Sequence, residues 1–156
     1  MRRGFSIVAS LAVVVACAGI AVAGTHSTKT VADTMTAGAM TYKIGNPNTG
    51  LCHGPPNQCG TITLTPAGGK TKVVINITGE PKGAIEPSHI HKGACKNPGV
   101  IVWPLTDVVA GHSTTIVDAP ISKVNVAGDS VNIHRSAAQL NQFMACGNVG
   151  TSMGSM

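Results

Sequence analysis

Thr61-Ile62-Thr63-Leu64-Thr65, then Pro66-Ala67-Gly68-Gly69-Lys70, then Thr71-Lys72-Val73-Val74-Ile75-Asn76-Ile77-Thr78 is the stretch that decides the fold class. The first five residues alternate polar and apolar, the period of a strand buried on one face. The Pro-Ala-Gly-Gly-Lys cluster carries the residues that reverse a chain. The run that follows is again β-branched and largely alternating, so the three pieces together predict a hairpin.

The same grammar extends outward. Upstream, Met40-Thr41-Tyr42-Lys43-Ile44 is a short alternating run, Gly45 to Gly50 is a turn cluster, and Cys52 to Cys59 reads as a tight loop closed by its own two cysteines. Downstream, strands are expected at Ser88-His89-Ile90-His91, at Val100-Ile101-Val102-Trp103 with Pro104 as its end, at His112 to Asp118 and at Asp129 to His134, and Met144 to Val149 closes the domain. Ala119 to Val126 reads as a loop with one turn of helix, and Ser136 to Phe143 as a short helical or irregular excursion. About seven short strands with frequent turn signals and no long helical period describe an all-β sandwich or flattened barrel.

The ends of the chain read differently. Met1-Arg2-Arg3 followed by an almost unbroken apolar run from Phe5 to Ala23, closing on Ala21-Val22-Ala23, has the form of an export signal over residues 1–23. A second reading makes Val14-Val15-Ala16-Cys17 a lipobox, with Cys17 acylated as a membrane anchor. Either reading places the protein in the periplasm, the cell envelope or the medium. Residues 24–39, rich in Thr, Ala, Ser and Gly, read as a flexible leader, and the expected domain spans residues 40–149 with residues 150–156 as a loose tail.

Composition narrows the function. Removing Arg2 and Arg3 from the 11 basic side chains leaves nine against 6 acidic ones, with no basic run. Only Tyr42, Trp103 and Phe143 remain as aromatics outside the signal, so neither phosphate tracking nor base stacking is supported, and nucleic acid is not an expected partner. The acidic residues are too scattered to nominate a triad partner for a hydrolase. An exported chain keeps disulfides, and Cys52, Cys59, Cys95 and Cys146 allow three pairings. No Cys-x-x-Cys spacing supports a thiolate zinc site.

The histidines carry the chemistry. On a strand His89 and His91 share one face while Ile90 takes the other. In Val131-Asn132-Ile133-His134, packing Val131 and Ile133 inward leaves Asn132 and His134 outside the core. If the two strands are neighbours, three imidazoles converge where a metal can be held, and three imidazoles with an open position suit copper or zinc. His112 is the best candidate for a fourth ligand. His53, in the small cysteine loop, and His26, in the leader, are not expected to bind. The methionines are soft thioether donors, but most lie near the ends of the chain.

His89-Ile90-His91, then Val131-Asn132-Ile133-His134, then Met144-Ala145-Cys146-Gly147 resemble, in type and order, the motifs of the copper/zinc superoxide dismutases. The resemblance covers about Gly60 to Val149 and implies an immunoglobulin-like Greek-key barrel. It implies that His89, His91 and His134 are copper ligands and that Cys95 pairs with Cys146, which leaves Cys52 with Cys59. The chain is also similar to the chordin-type domain, which shares the sandwich and the histidine-bearing strands without established dismutase chemistry.

Departures from the dismutase pattern limit what is implied. Between His91 and His134 the chain offers only His112, too far along to be the bridging histidine, and no zinc subloop is visible, so zinc is not expected. The family's substrate-guiding arginine falls at Phe143, which removes positive potential that would steer an anion. The expectation is an exported dismutase-like protein that binds one copper ion for metal binding or modest redox chemistry at the envelope. A metal-independent chordin-type interaction module is the alternative. An active copper-only dismutase acting on superoxide, with His112 replacing the bridge, is a further one.

Overall fold

A computed structural model describes residues 38–50 and 57–150, all within one compact unit. Ten strands and one short helix follow in order: β1 (Met40–Ile44), β2 (Cys59–Ala67), β3 (Lys70–Thr78), β4 (Ile85–Glu86), β5 (Ser88–His91), β6 (Ile101–Pro104), β7 (Val108–Val109), β8 (His112–Val117), α1 (Ile121–Val124), β9 (Ser130–His134) and β10 (Phe143–Asn148). They form two antiparallel sheets, one ordered β1-β2-β3-β8-β7-β4 and the other β10-β9-β5-β6. The architecture is the all-β sandwich expected from the alternation.

The β2–β3 hairpin pairs over its whole length, from Cys59 opposite Thr78 to Ala67 opposite Lys70. Along β3, Thr71, Val73, Ile75 and Ile77 are buried while Lys70, Lys72, Asn76 and Thr78 are exposed. That period of two turns one face of the sheet inward. Ile62, Leu64, Val73 and Ile75 of this sheet meet Ile90, Val131, Ile133 and Ala145 of the other in one core. Each such aliphatic side chain, fully buried, contributes about 1.5–3 kcal/mol, which lets a core almost without aromatics hold two thin sheets together.

Along one side the sheets are stitched by Gly45 and Cys146, whose backbones exchange hydrogen bonds of 3.1 and 2.8 Å. Gly147 belongs there because a Cβ would meet the Lys43 carbonyl oxygen at 2.5 Å. The expected single turn of helix is α1, anchored by buried Val124.

Pro104 ends β6, as expected, and as its last residue lies opposite His89, where an edge strand accepts a proline because only one donor is lost. Two features differ from the sequence reading. Strands β4 and β7 are two residues each, too short to carry a period. The second concerns the histidine-bearing face. It turns away from the core, as the alternation requires, yet it is not open to solvent, and every residue of β9 is buried.

Candidate metal centre

Strands β5 and β9 are antiparallel neighbours, with Ser88 opposite Ile133, His89 opposite Asn132, Ile90 opposite Val131 and His91 opposite Ser130. Ile90, Val131 and Ile133 occupy the core, so His89, His91, Asn132 and His134 share the outer face. The imidazoles of His89, His91 and His134 converge there, with ring centroids 4.9–5.9 Å apart. One potential ligand atom from each lies within 4.8 Å of the others, and together the three can hold a metal ion. Metal–imidazole bonds of about 2.0–2.1 Å place two donors on one ion no more than roughly 4 Å apart. A small rotation of the rings closes the remaining difference.

Two loops cover this face and set the orientation of the rings. The segment from Lys92 to Val100 folds back on itself through Lys92 N–H to the Val100 carbonyl and Gly99 N–H to the Lys92 carbonyl. Gly93 is in the left-handed region, with φ of 97°, and a Cβ there would meet the Asn97 carbonyl oxygen at 2.6 Å. The result presents the Gly99 carbonyl to His91, whose Nδ1–H donates to it at 2.8 Å. The second loop runs over residues 135–142 and is closed by Arg135 N–H donating to the Gln142 carbonyl at 2.9 Å. It presents the Leu140 carbonyl, which accepts from His134 Nδ1–H at 2.6 Å.

These two bonds decide the tautomers. A carbonyl only accepts, so Nδ1 carries the proton in both rings and Nε2 holds the free lone pair. His91 Nε2 and His134 Nε2 are buried with no hydrogen-bond partner, and so is His89 Nδ1. Three buried, unpaired nitrogens on one face are costly unless something occupies the space between them. A ligating histidine held through its other nitrogen by a carbonyl is the usual support of a metal site. The donor set fits an ion.

The electrostatics favour the neutral form of His134 and His89. Burial pushes the His134 imidazole below its ordinary range, and neighbouring His89 and His91 add to this against the bond from Leu140. Burial and the proximity of His91 likewise lower His89, opposed by Asp107. A neutral imidazole is the ligating form, because a protonated nitrogen has no lone pair to give.

Phe143 closes one side, its ring centroid 5.0 Å from that of His134 and 6.3 Å from that of His91. A bulge explains how it gets there. Phe143 pairs with His134, but Ala145 pairs with Ile133, so Met144 is the extra residue. In a regular strand Phe143 and Ala145 would share a face; at the bulge Phe143 joins the histidines and Ala145 enters the core.

No protein-family model, curated protein or solved structure matches this chain. The site therefore rests on its own geometry.

The remaining expected residues fall as follows. Cys95 and Cys146 are joined in a disulfide that ties the Lys92–Val100 segment to β10, the pairing implied by the resemblance. Cys59 is disulfide-bonded, while Cys52, Cys17, His26 and His53 lie outside the described residues. His112 does not join the cluster, which corrects its place as a fourth ligand. It starts β8 in the other sheet, with Nδ1 2.8 Å from Asn76 Oδ1 and Nε2 3.1 Å from the Thr114 hydroxyl. Both of its nitrogens are engaged. Sequence reasoning missed Gly99 and Leu140, because a backbone carbonyl that orients a ligand leaves no residue-type signal. Asn132 was legible only by its parity with His134.

Proposed function

We propose that this protein is an exported, superoxide dismutase-like β-sandwich that binds one copper ion through His89 Nδ1, His91 Nε2 and His134 Nε2. The observation that carries the reading is the set of three buried, partnerless nitrogens, two of them fixed by carbonyls on the opposite side of the ring. Copper is favoured on chemistry. The donors are all imidazole, with no thiolate or carboxylate among them, and divalent copper binds nitrogen sites more strongly than the other first-row ions. Copper in this position supplies one-electron exchange between its two oxidation states.

The chain's own residues do the rest. Gly99 and Leu140 hold the rings in their ligating tautomers, and Phe143 together with the two covering loops limits water. The role is metal binding or modest redox chemistry at the envelope. It stops short of an efficient dismutase, since Phe143 stands where a guiding arginine would attract an anion and His112 is held in the other sheet.

Thermal melting with and without Cu(II) tests this reading. A ligand of the native state stabilises by about 2.7 kcal/mol at a free concentration of 100 Kd. The reading expects a clear rise in Tm on adding copper that a chelator reverses. A melt indifferent to both contradicts it and favours a metal-independent interaction module.

A further inference from the structure

Asn132 lies in the middle of the histidine face. It pairs directly with His89 across the sheet, is two residues from His134 on its own strand, and is completely buried. Directly paired side chains have their Cβ atoms about 4.5–5.5 Å apart, so the shorter asparagine forms the floor beneath the longer imidazoles.

A chain of hydrogen bonds decides which way its amide faces. The Gly93 carbonyl can only accept, so the Ser130 hydroxyl donates its single proton there, at 2.7 Å. The Ser130 oxygen is then left to accept, and it takes a proton from Asn132 Nδ2 at 3.1 Å. The amide therefore cannot be turned over without placing two acceptors against each other. Asn132 Oδ1 is directed away from Ser130, and it is buried with no partner. An aliphatic side chain at this buried position would carry no such cost. Here an acceptor is held, oriented and unpaired on the same face as three unpaired nitrogens.

We propose that Asn132 Oδ1 is a fourth donor to the ion held by His89, His91 and His134, making a neutral set of three nitrogens and one oxygen. This rests on the metal reading above and deepens it. An amide oxygen is a hard donor and three imidazoles are intermediate, so the added oxygen favours Cu(II), which takes tetragonal nitrogen and oxygen sites, over the softer Cu(I). Asn132 sets the preferred oxidation state, whereas the histidines alone set the location.

The test compares the full chain with Asn132→Leu, which keeps the branched skeleton and deletes the oxygen, and with Ser130→Ala, which keeps the oxygen and releases the amide. Each is stripped of metal and titrated with Cu(II) against a competing chelator, with Cu(I) under anaerobic conditions, and the Cu(II) forms are compared by electron paramagnetic resonance. For Asn132→Leu the expected result is Cu(II) affinity weakened roughly tenfold or more, a changed copper hyperfine splitting, and Cu(I) affinity within about twofold of the parent. The metal-free melting temperature should be equal or higher, because an unpaired buried acceptor has gone. Ser130→Ala should shift the Cu(II) spectrum in the same direction, and this holds as a test even if the leucine variant fails to fold. Wild-type Cu(II) affinity and spectrum in the variants overturn the proposal while leaving the three-histidine site standing. Failure of the parent chain to bind copper overturns both.

Discussion

Replacing Cys95 and Cys146 together by alanine should both destabilise the domain and loosen the metal centre. The bond spans a sequence separation of 51 residues. The chain-entropy relation for a loop of that size gives about 4 kcal/mol at 25 °C as the constraint lifted from the unfolded chain. For a domain of this length that corresponds to a fall in Tm of roughly 10–20 °C. The effect on the site should be smaller. The Lys92–Val100 segment, which carries the Gly99 carbonyl, keeps other ties to the domain: Cys95 N–H donates to Asn148 Oδ1 at 2.9 Å, and the Gly93 carbonyl still accepts from Ser130. The segment should stay near its place but hold His91 less firmly, with copper affinity lowered about tenfold, the lower end of what disturbed supporting bonds remove. Calorimetric melting in chelator, followed by copper titration below the new Tm, measures the two effects separately. A Tm within about 2 °C of the parent refutes the entropic argument. Unchanged copper affinity refutes the idea that the disulfide supports the site.

Other consequences follow from buried groups. Glu86 is buried beside Glu80, with Gln58 Nε2–H donating to it at 2.7 Å; burial raises its pKa, the Gln58 bond works against this, and Glu80 adds to the rise. A carboxyl raised in the folded state stabilises fully below its unfolded value of about 4.3, and that stability is lost as pH rises through the folded value. Glu86→Gln should therefore be more stable than the parent at pH 7 and equal to it near pH 4, as read from urea unfolding at the two pH values. His89 and His134 are lowered in the folded state, chiefly by burial, so the sign reverses. The metal-free protein should be stable above an unfolded imidazole value of about 6.5 and lose stability as pH falls through the folded values, with copper affinity falling over the same range. Melting curves from pH 8 to pH 5 check this. In the core, Ile133→Ala should cost about 2–5 kcal/mol by urea unfolding, because Ile133 is fully buried between the sheets and a cavity remains.

The strands were legible where side chains alternate over five or more residues. Thr61 to Thr65 and Thr71 to Thr78 announced the hairpin, and it pairs without a break from Cys59 to Thr78. Strands β4 and β7 were not legible, since two residues cannot display a period. The three clustered histidines were legible by parity, because Ile90 and the pair Val131 and Ile133 had to face inward and the imidazoles outward. The enclosure of that face was not. It depends on where the loops after β5 and β9 return, and on a bulge at Met144 that redirects Phe143, neither of which leaves a compositional mark. His112 shows the opposite failure. Its residue type qualified it as a ligand, but its strand joins the other sheet, where Asn76 and Thr114 engage both nitrogens.

Coordination by three histidine nitrogens is tested most directly by Cu(II) titration of the full chain with electron paramagnetic resonance, run beside His91→Ala and His134→Ala. The parent should bind one equivalent of copper, its spectrum carrying hyperfine structure from imidazole nitrogen, and each variant should lose that spectrum. A parent that binds no stoichiometric copper, or variants whose spectrum matches the parent's, would contradict the account.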